Sequence, residues 1–386
     1  MIEQYFDLIL VYTSHRRHEP YINIIKYLSS DIKIGLLKFK PLHPWGKTEE
    51  EYVRQCIDYG ATLVTGKSTC NLLMLPRFGG KPGSGYYKYI LEETPKIIDY
   101  KKVLLWPASV FHGHPLITEI CEVFNPLTIL MPSKRYFGAI EKKTMDVIDK
   151  YKIDTVEVGL PYAKYPIFPL FSTDYILAYP SHVAIHDAHH HYKLLSNMIK
   201  VLFNLPYGAD IVVKPHNVKD EGNKLSQYDF LRFKLDKRIV AIILKIILFI
   251  FGLNIFSKNF YKFLPSRSIR LVNQLINYYI FNSYNNLLDK YPGFGIEHFI
   301  HGIKHGLITG LSSSIIYARY EKKQVCVVDE YDDEMSESYK LINKHFGIKH
   351  QNQFSENGYD AFTENNRESD LFEYLMSSIS LYQVSH

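Results

Sequence analysis

Short apolar runs alternate with longer amphipathic stretches along the first part of the chain. The apolar runs predict strands at Leu8–Tyr12, Ile32–Leu37, Ala61–Val64, Val103–Trp106, Thr128–Met131 and Val156–Tyr162. Helical spacing between them predicts helices at Ile22–Leu28, Glu49–Tyr59 and Ile117–Phe124. Strands that alternate with helices are typical of a parallel, doubly wound sheet, so we expect one Rossmann-like domain over residues 1–165.

A second series of the same kind follows a proline-rich crossing. Pro161, Pro166 and Pro169 mark this crossing as a domain boundary. Beyond it, strands are predicted at Tyr175–Tyr179, Ile211–Val213, Leu307–Thr309 and Val325–Val328, with a helix from about His190. We therefore expect an α/β chain of two doubly wound domains. The second would cover residues 166–360, and residues 361–386 would add a C-terminal helix.

The stretch Ile239–Phe256 breaks this alternation, because it is apolar apart from Lys245, Gly252 and Asn254. As a helix it would extend about 27 Å, which is marginal for crossing a bilayer, and a lysine near its middle is costly there. Basic residues flank it on both sides: Arg232, Lys234, Lys237, Arg238, Lys258, Lys262, Arg267 and Arg270. This pattern favours a helix in the membrane interface, within an insert over about residues 232–290. A buried core helix and a true membrane span are the alternatives.

Composition and charge narrow the class of protein. The chain has 386 residues, 46% of them hydrophobic and 22% charged, which is an ordinary globular composition with room for two cores. Its net charge of +5 suits an anionic substrate or an acidic membrane surface. No zinc-finger spacing or motif for binding RNA or DNA is present, so we expect no nucleic-acid partner.

Cysteine usage and the first residues point to the cytoplasm. Cys56, Cys70, Cys121 and Cys326 are widely spaced and form no CxxC pair, as expected for reduced, mostly buried thiols. Acidic residues occupy the start of the chain, where a signal peptide would be basic, so no secretion signal is predicted.

Candidate chemistry begins where the run Ile211–Val213 ends. Pro215 cannot donate to a sheet ladder, so Lys214 and His216 are predicted to lie at the end of this strand. Ligands of open α/β sheets bind outside the carboxyl ends of the strands. A cation and an imidazole at that place could bind a phosphate or stabilise one as it leaves. The alternative is a strand that merely ends in polar residues.

Residues 307–318 predict a strand, a turn, a hydroxyl cluster and a helix, in that order. Hydroxyls and free backbone N–H groups at the start of a helix suit a phosphate, although serine runs are also common as capping boxes and polar turns. The hydroxyls belong to Thr309, Ser312, Ser313 and Ser314. Together with Lys214 and His216 on a neighbouring strand end, they could hold a diphosphate or a phosphodiester from two sides.

The order FHG, GLPY, ILAYPS, VVKPH, LITGLSSSIIYA and VCVVDEYDD resembles the CDP-glycerol glycerophosphotransferases, which polymerise teichoic acids. That family carries Trp-His-Gly, Lys-Pro-His-Pro and Ile-Thr-Asp-Tyr-Ser-Ser motifs in this order. Here Phe111 replaces the tryptophan, Asn217 the second proline, and Gly310-Leu311 the Asp-Tyr pair. The resemblance covers roughly residues 111–333. It implies the GT-B fold, in which two Rossmann-like domains face a cleft, and association with the inner membrane face.

The resemblance also implies roles for the matched residues. His112 would be the catalytic base that deprotonates an acceptor hydroxyl, which suits an imidazole whose ordinary pKa is about 6.5. His216 would bind the donor phosphate and stabilise the leaving nucleotide, with Lys214 assisting. The serines of the hydroxyl cluster, Ser312, Ser313 and Ser314, would hold the phosphates beside Thr309. Independently of the resemblance, Asp329, Asp332 and Asp333 follow the last predicted strand, and we interpret them as a loop of surface acids rather than as the metal-binding acidic motif of the other common glycosyltransferase fold. In that loop, Asp329 or Glu330 could accept hydrogen bonds from the ribose hydroxyls of the nucleotide.

The expected function is that of a cytoplasmic, membrane-peripheral transferase. It would move a glycerol-phosphate or sugar unit from a CDP- or CMP-linked donor to a polysaccharide or lipid-linked acceptor of a cell-surface glycopolymer, such as a capsule or a teichoic acid. No metal or other cofactor is required if His, Lys and N–H groups stabilise the charge. One alternative is a sialyl- or Kdo-type CMP-sugar transferase, or another nucleotide-sugar glycosyltransferase of capsule or lipopolysaccharide synthesis. The alternative from another class is a non-catalytic membrane-peripheral scaffold.

Two groups of histidines are further candidates. In the run His182–His191, metal ligation by His186, Asp187 and His190 is conceivable, but the spacing matches no zinc signature and a polar loop beside the donor site is preferred. The second group predicts one face of a helix that points toward the cleft or solvent, with a metal site as the lesser alternative. Its members are His298, His301 and His305.

Overall fold

A computed structural model gives the fold of most of the chain. The residues it describes are 4–12, 20–39, 47–76, 85–106, 117–131, 142–179, 188–215, 236–252, 264–291, 294–310, 312, 314–328, 353–355 and 370–383. The chain forms two compact units. The first contains residues 1–169 and 362–386, and the second contains residues 170–361.

The described elements follow in the order that the apolar pattern indicates, with additions. The strands are β1 (Gln4–Tyr12), β2 (Ile34–Lys38), β3 (Thr62–Leu63), β4 (Ser68–Leu75), β5 (Ile98–Leu105), β6 (Leu127–Met131), β7 (Asp154–Glu157), β8 (Thr173–Ala178), β9 (Ile211–Lys214), β10 (Asn285–Asn286), β11 (Ile303–Thr309), β12 (Gln324–Val327) and β13 (Phe354–Ser355). The α-helices are α1 (Tyr21–Leu28), α2 (Lys47–Asp58), α3 (Gly85–Ile97), α4 (Ile117–Val123), α5 (Lys142–Tyr151), α6 (Ala188–Phe203), α7 (Lys237–Gly252), α8 (Ser266–Ser283), α9 (Leu287–Lys290), α10 (Ser314–Tyr320) and α11 (Leu371–Gln383).

The first unit is built on a seven-stranded sheet in the order β3-β2-β1-β4-β5-β6-β7, with every neighbouring pair parallel. Its central strands are buried, as expected for a parallel sheet covered by helices on both faces. The C-terminal helix α11 belongs to this unit. Gln383 on α11 donates from Nε2 to Oδ1 of Asp7 on β1 at 3.1 Å, and Lys102 on β5 donates to the hydroxyl of Tyr374 at 3.1 Å.

Strand β4 was not predicted, although it lies in the middle of the first sheet. It begins with Ser68, Thr69, Cys70 and Asn71, so its first half lacks the apolar run by which buried strands are recognised. The polar side chains find partners instead. Ser68 Oγ donates to the carbonyl of Gly66 at 3.1 Å, and Asn71 Nδ2 donates to the Tyr5 hydroxyl at 2.6 Å. Hydrogen bonding therefore permits polar residues in a strand that is largely buried.

Strand β7 is also shorter than predicted. It ends at Glu157, whereas the apolar pattern continues to Tyr162. Gly159 has a φ of +68°, a conformation outside the β region, and Pro161 has no N–H to donate to a ladder. These two residues terminate the strand before the proline-rich crossing.

The second unit contains a six-stranded sheet in the order β10-β9-β8-β11-β12-β13. All pairs are parallel except β12 with β13, which is antiparallel. Counted from the first strand of each unit, both sheets begin with the order 3-2-1-4-5-6 of the Rossmann fold. The predicted fold class, two Rossmann-like doubly wound units with an inserted helical segment, is confirmed.

The apolar insert forms helix α7, which is partly a core helix. Val240 and Leu244 are fully buried in the core of the second unit, whereas the opposite side of the helix is exposed. The exposed apolar side chains are Ile239, Ile242, Ile246 and Phe249. None of the helices in the described ranges is long and apolar enough to span a bilayer.

The predicted helical face of three histidines is wrong. His298 and His301 lie in two successive 3₁₀ turns, Ile296–His298 and Ile300–Gly302, and His305 lies in strand β11. A 3₁₀ turn repeats every three residues, so a spacing of i, i+3 does not distinguish it from an α-helix. His298 is buried, whereas the His305 side chain is 60% exposed, so the three do not share a surface.

Candidate functional site

The candidate site lies at the carboxyl ends of the strands of the second sheet. Strands β8 and β11 are adjacent there, and their order in the Rossmann-type sheet makes this pair the topological switch point. The connections that follow such a pair leave toward opposite faces of the sheet, which opens a crevice where ligands bind. Tyr179 follows β8 at this edge, and Gly310 follows β11.

Backbone hydrogen bonds continue past the ends of these strands and align them. The Tyr179 N–H donates to the carbonyl of Lys214 at 2.9 Å, and the Val328 N–H donates to the carbonyl of Thr309 at 3.0 Å. Asn197 on α6 adds a side-chain contact, since its Nδ2 donates to the Val328 carbonyl at 3.1 Å. The backbone that carries Lys214 and Thr309 is therefore held in place by hydrogen bonds to the neighbouring strands.

The hydroxyl cluster that the sequence predicts forms at the end of β11. Thr309 Oγ1 lies 3.3 Å from Ser312 Oγ and 3.1 Å from Ser314 Oγ, and the two serine hydroxyls also contact each other. The Ser314 N–H donates to Ser312 Oγ at 3.2 Å. Thr309 and Ser314 are buried, whereas Ser312 is half-buried and faces partly outward. Hydroxyls both donate and accept, so this cluster can turn its O–H groups toward an arriving anion.

Lys214 supplies a cation at the same edge of the sheet. Its side chain is 4% exposed, and Nζ donates to the carbonyl of Pro215 at 3.0 Å. A buried ammonium is expensive unless hydrogen bonds or an opposite charge compensate its lost hydration. An anionic ligand at the strand ends would add a favourable interaction with this ammonium.

Several predicted residues lie outside the described ranges. These are His112, His216, Ser313 and Asp329, together with residues 182–187 of the histidine-rich run. Their roles stay predictions. Among the residues that the structure describes, no group of three His, Cys, Asp or Glu side chains could hold a metal ion.

The cysteines are poor candidates for nucleophiles. All four are free, and Cys326 lies in β12, close to the candidate site in sequence. Burial raises the pKa of the Cys326 thiol to about 12 and that of Cys121 to about 11. Burial also raises the pKa values of Cys56 and Cys70 far above the ordinary range. Because the thiolate is the nucleophile, raised pKa values make these thiols poor nucleophiles at neutral pH.

Comparisons with known proteins show a weak similarity to solved structures and no match to a protein family. The chain matches no protein-family model and no curated protein, so the resemblance to the CDP-glycerol glycerophosphotransferases has no support from these comparisons. Among solved structures it is similar to UGT2 of Phytolacca americana complexed with UDP-2fluoro-glucose and pterostilbene, with a TM-score of 0.36, 10% identity, and coverage of 98% of this chain and 94% of that chain. It is also similar to CalG4, the calicheamicin glycosyltransferase, with a TM-score of 0.35, 10% identity, and coverage of 100% and 95%. Both TM-scores are too low for either similarity to bear on the chemistry of the site.

Proposed function

We propose that the protein is a transferase that binds a nucleotide-activated donor at the carboxyl edge of its second sheet. The observation that carries the proposal is the hydroxyl cluster of Thr309, Ser312 and Ser314 at the end of β11, in the same sheet as the buried Lys214. Hydroxyl donors and an ammonium are the groups that bind a phosphate without a metal. Their place at a switch point is the place where Rossmann-type sheets bind nucleotides.

The donor that we propose is linked to a cytidine nucleotide, CDP-glycerol or a CMP-sugar. This finer assignment rests on the motif resemblance. In glycerol-phosphate transfer, an acceptor hydroxyl oxygen forms a bond to the phosphorus that carries glycerol, and the bond from that phosphorus to the bridging oxygen breaks, which releases CMP. His112 would take the proton of the acceptor hydroxyl, and Lys214 and His216 would stabilise the negative charge that develops on the departing phosphate.

The acceptor that we propose is a polysaccharide or lipid-linked chain of a cell-surface glycopolymer, held mainly by the first unit. Such an acceptor lies at a membrane, and helix α7 supports a peripheral location. From residue 237 to residue 288 the sequence holds seven Lys or Arg and no Asp or Glu. The net charge of the whole chain is +5, so all the other residues together carry −2. The positive charge is therefore concentrated in the part of the sequence that contains the helix with exposed apolar side chains.

A titration with CMP, CDP, UMP, UDP and GDP tests the donor. Thermal unfolding and calorimetry would be measured on the wild type, on His216→Ala and on Lys214→Met. We expect selective stabilisation by a cytidine nucleotide, of about 2.7 kcal/mol at a hundredfold excess over Kd, and its reduction in both variants. A preference for UDP or GDP would contradict the cytidine assignment but retain a nucleotide-dependent transferase. Absence of binding by every nucleotide would refute the transferase and favour the membrane-peripheral scaffold.

A further inference from the structure

Helix α8 carries two buried amides on its apolar face. Asn273 and Asn277 are four residues apart, so they lie on the same side of the helix. They are surrounded by buried aliphatic residues of that side, which are Ile269, Val272, Ile276 and Ile280. Asn277 is 1% exposed, and a buried amide costs free energy unless it is hydrogen-bonded. The partners of these two amides therefore indicate why they occur in an otherwise apolar interface.

Both amides bind residues that border the same connection. The Tyr179 hydroxyl, immediately after β8, donates to Asn277 Oδ1. Asn273 Nδ2 donates to the carbonyl of Ala188, the first residue of α6, at 2.9 Å. One helix thus holds both ends of the connection from β8 to α6. The Tyr179 ring also packs against Phe281 on α8, with ring centroids 5.0 Å apart.

These hydrogen bonds are not part of the local strand–helix unit. Tyr179 and Asn277 are 98 residues apart in the chain, and α8 belongs to the segment between β9 and β10. Strand β8 and helix α6 are already secured by sheet pairing and by the apolar core. The hydrogen bond between Tyr179 and Asn277 is additional to these contacts. It lies directly after β8 at the switch point, beside the end of β11 and its hydroxyl cluster.

We propose that Asn277 and Asn273 are positioning residues for the nucleotide donor, acting through Tyr179 and Ala188. This inference rests on the proposed function of the site. A buried hydrogen bond is directional and fixes one arrangement of the groups it joins, which apolar packing of equal area does not do. The α8 amides therefore fix the position of Tyr179, which directly follows β8 next to Thr309 on β11, and the position of Ala188 at the start of α6. In this way they set the geometry of the sheet edge at which we propose that the donor phosphates bind.

The test separates positioning from stability. Tyr179→Phe and Asn277→Leu each remove one partner of the buried pair, whereas the double variant replaces both partners by apolar groups of similar shape. Replacing both partners of a hydrogen bond in this way can be nearly neutral for stability. Asn282→Leu is the matched control, because Asn282 is an exposed residue of the same helix whose amide donates only to the carbonyl of Tyr278 among the contacts described. Each protein would be titrated with CDP and with UDP and unfolded in urea.

We expect the double variant to unfold at the wild-type urea concentration but to bind its preferred nucleotide between about 2-fold and 30-fold more weakly, the range typical of residues that act on a site without touching the ligand. Recovery of affinity together with stability would show a purely structural role and overturn the inference. If the double variant does not fold, Tyr179→Phe alone decides by the same comparison of affinity with stability. If the wild type itself binds neither CDP nor UDP, the proposed function is refuted, and with it a positioning role toward a donor.

Discussion

Lys214 and Thr309 lie in one transverse row of the second sheet, on either side of Ala178. Ala178 pairs with Lys214 on β9 and with Thr309 on β11. Neighbouring strands are about 4.8 Å apart, so the two backbones are separated by about 10 Å, and residues in register project to the same face of the sheet. A buried ammonium and a hydroxyl cluster therefore start from the same row at the switch point. This relationship makes the two sides of the proposed phosphate site separately testable.

Replacing Lys214 by methionine removes the charge and keeps most of the side-chain volume. We expect the affinity for the preferred nucleotide to fall by about 10- to 100-fold, since a hydrogen bond to a charged group contributes roughly 1.5–3 kcal/mol. Stability should fall as well, because the hydrogen bond from Nζ to the Pro215 carbonyl is lost. Calorimetric titration and urea unfolding measure the two effects. Lys200→Met, on the exposed side of α6, is the control, and equal affinity in both variants would contradict the prediction.

The serines of the hydroxyl cluster should differ in their effects. Ser314 is buried against Thr309, so Ser314→Ala should cost about 1 kcal/mol of stability. Ser312 accepts a hydrogen bond from the Ser314 N–H, so Ser312→Ala should cost a similar amount of stability. Because Ser312 is half-buried, this substitution should in addition weaken nucleotide binding by about 2- to 12-fold, the equivalent of one neutral hydrogen bond. Ser380→Ala, an exposed serine of α11 in the first unit, provides the baseline. The prediction is wrong if Ser312→Ala binds the nucleotide as the wild type does.

The doubly wound fold was predictable because most strands of a parallel sheet are buried on both faces and are therefore uniformly apolar. The run Ile211–Val213, followed by Pro215, shows both the strand and its end. Strand β4 escaped prediction because it begins with polar residues whose partners, such as the hydroxyl of Tyr5 for Asn71, lie on other strands. Sequence patterns report burial, and a polar residue that is buried through a distant hydrogen bond gives no such pattern.

In the candidate site, too, contacts between residues close in sequence could be predicted and contacts between distant residues could not. Thr309, Ser312 and Ser314 are close in sequence and could be predicted to act together, and the structure joins their hydroxyls. The contact of Tyr179 with Asn277 could not be predicted, because nearly a hundred residues separate the two. The sequence does contain a weak indication that Asn277 has a specific partner. Asn273 and Asn277 recur four residues apart on an apolar helical face, where amides are uncommon without a specific partner.

Asp174 at the start of β8 should make stability depend on acid pH. Its carboxylate accepts a hydrogen bond from the Asp210 N–H at 2.9 Å and lies 3.4 Å from Lys304 Nζ, and these contacts lower its pKa below the ordinary 3.8. A lowered folded-state pKa contributes stability that is complete above the unfolded-state value and is lost as the pH falls through the folded-state value. Asp174→Asn should therefore be destabilising near neutral pH, and its difference from the wild type should shrink below about pH 3.8.

Urea unfolding of the wild type and Asp174→Asn at about pH 6 and about pH 2.5 would measure this difference. Asp149→Asn, an exposed substitution of the same kind on α5, serves as the control for the change of residue type. An equal destabilisation by Asp174→Asn at both pH values would show that the carboxylate charge is not what matters at this position.

The exposed side of α7 should bind an anionic bilayer. Ile239, Ile242, Ile246 and Phe249 form one stripe along the helix, with exposed fractions from 50% to 68%, and the exposed Arg238 and Lys245 lie along one edge of it. Burying each apolar side chain contributes on the order of 1 kcal/mol, and each basic residue near anionic lipid adds about 1 kcal/mol. The wild type should therefore co-sediment with vesicles of phosphatidylcholine and phosphatidylserine, and less with phosphatidylcholine alone.

The double substitution Ile242→Ser with Phe249→Ser should abolish co-sedimentation with the anionic vesicles. The control Leu381→Ser, at a side chain 73% exposed on α11, should not. Equal sedimentation of all three proteins would remove α7 as the membrane contact, and binding that added salt does not weaken would rule out attraction between the basic residues and the lipid.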